Sequence, residues 1–229
     1  TGWAPGISEL VLPDESALLV ESGSKIVMQI HYNYINLEEE EAVPADLTGL
    51  NLWVLDEGEH PEREFSFSLI ANGDIYIDAH DAQSIHEMTF TMGGPATIAG
   101  IVPHMHILGT EISVSLTDNE DEEACLVDIP EWDFDWQEIY QYTEDSFYSL
   151  EGGEKLTLRC VYDNSAGNQP VVDGEQLEPR DVTWGEGTLD EMCLAFLTLT
   201  TPYTPPECTL DTDCGTNEIC LDESCFEVL

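Results

Sequence analysis

Short runs in which apolar and polar residues alternate, separated by turn residues, constrain the fold of this chain more than any other feature. Between Leu47 and about Thr201 they occupy residues 50–55, 64–70, 88–92, 96–102, 111–116, 156–162 and 193–199. Alternation sends successive side chains to opposite faces of a strand, and little helical periodicity lies between the runs. Strands of this length and spacing predict an all-β fold, an antiparallel jelly-roll-type β-sandwich. With 229 residues, 42% of them apolar, there is ample material for a packed core.

Residues 25–32 alternate in the same way and predict a further strand, with Ile26, Met28, Ile30 and Tyr32 on one face and His31 on the other. The run Glu38-Glu39-Glu40-Glu41, followed by Pro44, cannot bury itself, so 38–46 is expected to be an acidic linker. It divides a short N-terminal half-domain segment, 1–37, from the main sandwich, 47–204. Within the sandwich, 129–136 carries Trp132, Phe134 and Trp136 without a clear period and predicts an ordered loop pinned by its aromatic rings. The tail, 205–229, carries Cys208, Cys214, Cys220 and Cys225 and is too short for a core without covalent staples. Two disulfides are expected there. Three pairings are possible, Cys208–Cys220 with Cys214–Cys225 being preferred, and a zinc site is the competing use of the thiols.

Five Lys and Arg stand against 48 Asp and Glu, a formal net charge of −43, which excludes nucleic acid and anionic membrane surfaces as partners. Such a surface also repels itself, so a salty or divalent-rich medium, and hence a marine or halophilic source, is expected. The carboxylates read as a solvated surface rather than as calcium sites. No stretch reaches the ~20 consecutive apolar residues of a membrane-spanning helix, so no membrane insertion is expected. Seven cysteines point to an oxidising compartment, extracellular or periplasmic, with any signal peptide already removed.

His104 and His106 lie two apart in a predicted strand, so both imidazoles leave the same face and can converge on one ion. Alone, such a pair is as well read as two partly exposed strand histidines, and Met192 alone as a core methionine. Together, a thioether beside two imidazoles is a ligand set suited to copper, its softness favouring Cu(I). His60, His80 and His86 read as surface histidines and are assigned no role.

His104-Met105-His106 with Leu108-Gly109, then 159–165 (Arg-Cys-Val-Tyr-Asp-Asn-Ser), then Asp190-Glu191-Met192-Cys193, resembles in order and approximate spacing the copper type II ascorbate-dependent monooxygenases, the group of peptidylglycine α-hydroxylating monooxygenase and dopamine β-monooxygenase. The resemblance covers about residues 1 to 205. It implies that His104, His106 and Met192 hold the copper that activates O2, that Cys160 is disulfide-bonded to Cys193, and that ascorbate is the reductant. Cys125 is then the odd thiol. The segments 2–6 and 28–33 resemble the end of the family's first domain, where His31 would be one of three histidines on an electron-transfer copper. The family's adjacent His-His pair has no counterpart among the six histidines of this chain. An upstream domain, another chain or assembly into a homo-oligomer would then complete the half-domain. The peptide-amidating branch holds its substrate carboxylate with an Arg two residues before the first ligand histidine and a Tyr four after the ligand methionine. Val102 and Phe196 stand there, which makes them substrate-pocket candidates and favours a small apolar or cationic substrate over a carboxylate-ended peptide. The expected function is a secreted monooxygenase acting on a C–H bond. The alternatives are a non-catalytic structural or extracellular assembly protein, and a copper-storage or delivery protein.

Overall fold

The computed structural model of the protein describes residues 9–21, 23–30, 32, 45–56, 59–172 and 174–205, together with the backbone of 218–221 and 224–227. In chain order the strands are β1 (Ser16–Leu18), β2 (Arg63–Ala71), β3 (Tyr76–Ile77), β4 (Ser84–Thr91), β5 (Ala96–His104), β6 (Gly109–Thr117), β7 (Glu123–Ile129) and β8 (Tyr140–Gln141). They continue with β9 (Tyr148–Leu150), β10 (Lys155–Tyr162), β11 (Val171–Val172), β12 (Glu175–Gln176), β13 (Val182–Thr183), β14 (Leu194–Pro202), β15 (Glu218–Leu221) and β16 (Ser224–Glu227). Only two single turns of 3-10 helix, Glu144–Ser146 and Ala166–Asn168, interrupt them among the described residues.

Two sheets enclose one core. The first runs β1-β2-β14-β5-β8, with β9 also on β5, and the second runs β4-β10-β6-β7. All of these pairings are antiparallel except β1 with β2. In β6, Ile112, Val114 and Leu116 face inward while Glu111, Ser113 and Ser115 face out, and in β10 Leu156 and Leu158 face inward between Lys155, Thr157 and Arg159. These meet Ile98, Ile101 and Leu197 of the first sheet in a single apolar cluster. The fold is the all-β sandwich that the alternation predicts.

Two predicted strands are not strands. Residues 25–30 and 50–55 join no ladder, and their apolar side chains are exposed, Val27 at 85% and Trp53 at 81%. Alternation states which faces a strand would have; it cannot supply the neighbour whose backbone groups the strand needs. The predicted linker falls largely on residues outside those described, as does His31. Cys208 and Cys214 also lie outside them, and for Cys220 and Cys225 only the backbone is described, as cross-strand partners in the β15–β16 hairpin. No helix among the described residues is long and apolar enough to cross a membrane.

Candidate metal centre

β5 and β14 are central neighbours of the first sheet, and their register sets the site. Ala195 is opposite Pro103 and Leu197 opposite Ile101, all buried on the core face. The alternate residues therefore share the outer face, where Leu194 is opposite His104 and Phe196 opposite Val102. Phe196 is also opposite Leu69 of β2, so an uncharged row of Val102, Phe196 and Leu69 lies one step along the strands from His104. Val102 and Phe196 are half-buried, and Leu69 is exposed.

His104 ends β5, and the chain turns at residues 105–109 before entering β6. Met105 fills the core with no exposure, His106 returns toward the outer face, and the Gly109 N–H donates to the His106 carbonyl at 3.4 Å. Gly109 is needed there, because a Cβ would come within 2.7 Å of Met105 Cε and 3.0 Å of Trp132 Cδ1. The two imidazoles end with centroids 5.1 Å apart and planes at 83°.

Met192 lies in the 190–193 loop, which is fastened on several sides. Glu191, 1% exposed, accepts the His106 N–H at Oε2 (2.9 Å) and the Leu108 N–H at Oε1 (2.7 Å). The Asp190 carbonyl accepts from His106 Nδ1 at 2.9 Å. The Tyr162 hydroxyl donates to the Met192 carbonyl at 2.8 Å, and Cys193 is disulfide-bonded to Cys160 of β10, joining the two sheets. The Met192 side chain itself is half-buried. Cys125 is a free, exposed thiol.

The aromatic loop predicted at 129–136 is ordered against the same site. The Trp132 N–H donates to Thr110 O at 2.8 Å and its indole Nε1–H to His106 O at 3.2 Å. Phe134 meets the His106 ring edge to face at 6.1 Å. Gln137, 5% exposed, lies 2.6 Å by its Oε1 from His104 Nδ1. Sequence inspection misses the roles of Gln137 and Glu191. Glu191 belongs to the Asp-Glu-Met-Cys motif, which gave a signal, whereas Gln137 had only its place beside the aromatic cluster.

Burial holds His104 below the usual imidazole range, with the Gln137 hydrogen bond pulling it up and His106 pushing it down. Burial also lowers His106, against the raising effect of the Asp190 carbonyl and carboxylate and of the Gly187 carbonyl. Both rings are therefore neutral near pH 7, as metal ligands must be. Each Nδ1 faces an oxygen acceptor, which places each ring's lone pair on Nε2, and the Gly187 carbonyl also lies against the His106 ring. Two neutral imidazoles prepared in this way, with a thioether in the adjoining loop, fit copper. Glu191 is raised to about 8 by burial, which outweighs the lowering hydrogen bonds from Leu108, His106 and Met192. A cavity of about 140 Å³ lies behind this arrangement, lined by Leu108, Arg180, Leu189 and Glu191 among others. It is below the ~300 Å³ at which small-molecule sites begin.

Residues 72–218 match the family model described as copper type II ascorbate-dependent monooxygenase, C-terminal domain, and the chain belongs to that family. The family's name carries dependence on copper and on ascorbate. A comparison with curated proteins gives no match. Among solved structures, a chain in "Structure of infectious bursal disease virus Gx strain" is similar at 9% identity, covering 68% of this chain and 46% of that one. The TM-score is 0.13, and a likeness at that level carries no argument about fold or function.

Proposed function

We propose that this chain is the catalytic, copper-binding half of a secreted monooxygenase that hydroxylates a C–H bond of a small substrate, with O2 as oxidant and ascorbate as electron donor. The observation that carries this is the pair of imidazoles, each with Nδ1 committed to an oxygen acceptor, beside the fastened Met192 loop. His104, His106 and Met192 are the ligands. Copper there would supply the one-electron chemistry through which O2, two electrons and two protons convert R–H to R–OH and water.

The protein's own contribution is position. Tyr162, Glu191 and the disulfide hold the 190–193 loop, so a weak thioether ligand need not be recruited from a mobile segment. Val102, Phe196 and Leu69 offer an uncharged surface beside His104, and none can pair with a carboxylate. A small apolar or cationic substrate follows. Seven cysteines and an inter-sheet disulfide support an oxidising compartment. His31 is proposed as one ligand of a second, electron-transfer copper, whose other ligands come from an upstream domain or another copy of the chain.

The test is O2 uptake by the copper-loaded protein. Uptake that needs ascorbate and a small uncharged or cationic substrate, and that is lost in His104→Ala, supports the proposal. Uptake unchanged by His104→Ala would overturn it. Stoichiometric copper without any ascorbate-dependent uptake would select copper holding without turnover instead.

A further inference from the structure

We infer that Gln137 is the positioning residue of the metal centre: it fixes the tautomer and ring plane of His104 and so decides that Nε2 is presented to the metal. This rests on the copper reading above and goes beyond it, because Gln137 comes from a loop that supplies no ligand.

The hydrogen-bond pattern leaves little freedom. Gln137 Nε2 donates to the Phe134 carbonyl at 2.9 Å, a contact that the amide oxygen could not make. The amide is thereby oriented, and Oε1, which can only accept, faces His104 Nδ1 at 2.6 Å. His104 Nδ1 must carry the proton, and its lone pair must sit on Nε2. Gln137 is 5% exposed, so water does not readily replace it. Phe134, whose carbonyl holds the Gln137 amide, also stacks edge to face on His106, and Trp132 donates to the His106 carbonyl. The 132–137 loop thus grips both histidines, one by its ring nitrogen and one by its ring face and carbonyl. His106 needs no counterpart of Gln137, because the Asp190 carbonyl performs the same task from the methionine loop.

An outer acceptor of this kind raises the basicity of the ligand nitrogen and holds the ring in register, and its loss typically weakens metal binding by about 10–100-fold. Gln137→Leu removes the acceptor at similar volume. Gln137→Glu keeps an acceptor for His104 Nδ1 and adds charge, which makes the imidazole a stronger donor and favours Cu(II) over Cu(I), but it gives up the bond to the Phe134 carbonyl.

Three measurements together test the inference. In the metal-free protein, the imidazole ¹⁵N shifts should report the Nδ1–H tautomer of His104 in wild type and in Gln137→Glu, and a mixture in Gln137→Leu. Cu(I) affinity, measured by competition with a chromogenic chelator, should fall by about 10–100-fold in Gln137→Leu and by clearly less in Gln137→Glu, which retains the acceptor but not the bond to the Phe134 carbonyl. The copper reduction potential should move downward in Gln137→Glu. Equal affinity in wild type and Gln137→Leu, or equal losses in both variants, would overturn the inference. His104→Ala is the control. If it binds copper like wild type, the copper site itself is refuted; if it loses copper while Gln137→Leu does not, only the role of Gln137 fails. Gln137→Glu, with its acceptor retained, separates loss of positioning from loss of folding.

Discussion

Glu191 holds His106 without touching its ring: Oε2 accepts the His106 backbone N–H at 2.9 Å while Oε1 accepts that of Leu108 at 2.7 Å. The residue next to one proposed ligand thereby fixes the backbone of another. Glu191→Ala leaves two buried N–H groups unpaired, at about 1–3 kcal/mol each. Urea unfolding of the metal-free protein should show a loss of about 3 kcal/mol, and a loss below about 0.5 kcal/mol would contradict the role assigned to Glu191.

Glu191 also makes stability depend on pH. Its carboxyl keeps a proton to about 8 in the fold, against 4.5 for an ordinary glutamate. Between those values the folded protein binds the extra proton, so this contribution is complete below the lower value and is lost as pH rises through the upper one. Relative to Glu191→Gln, which does not titrate, metal-free wild type should lose at most about 1.4 kcal/mol per pH unit across that window. Parallel stability profiles for the two proteins would contradict this.

The Cys160–Cys193 bridge closes a loop with a sequence separation of 33. Its removal in a Cys160→Ser, Cys193→Ser double variant should cost about 3.5 kcal/mol through the freedom returned to the unfolded chain. It should also weaken Cu(I) binding, since Cys193 adjoins Met192. Copper affinity unchanged in a folded double variant would show that the bridge serves stability alone.

Charge governs the response to salt. The described ion pairs, Arg63–Glu144, Arg159–Glu111 and Arg180–Asp190, are all at least partly exposed, and five Lys and Arg cannot offset 48 carboxylates. Between about 10 mM and about 1 M NaCl the screening length falls from roughly 30 Å to 3 Å. The Tm should rise steadily over that range. A flat or falling Tm would exclude self-repulsion as a significant cost to the fold.

Sequence pattern revealed the sandwich wherever a strand had a clean period and a neighbour. β7 shows how the period can be hidden. Val114 pairs with Val127 and Ser115 with Cys125, so Leu126 is an extra residue at a bulge, and Leu126 and Val127 are both buried. Two consecutive inward side chains erase the alternation that marks a strand. The stretches 25–30 and 50–55 err in the opposite direction, having the period without a ladder. At the site, the His-x-His spacing marked the pair, but strand alternation is not what joins them: β5 ends at His104, and His106 reaches it from the turn that follows. Gln137 was not legible, since its contact with His104 spans 33 residues and depends on how the aromatic loop folds back. The Asp-Glu-Met-Cys motif marked the loop, but the bonds from Glu191 to residues 106 and 108 belong to tertiary structure.

The most direct test of the central claim is copper X-ray absorption on the ascorbate-reduced protein, with copper per chain measured on wild type, Met192→Ala and His104→Ala. Copper bound by His104, His106 and Met192 predicts a stoichiometric site with nitrogen and sulfur scatterers, the sulfur lost in Met192→Ala and the copper itself lost in His104→Ala. Absence of stoichiometric copper from wild type, or a sulfur signal that survives Met192→Ala, would contradict it.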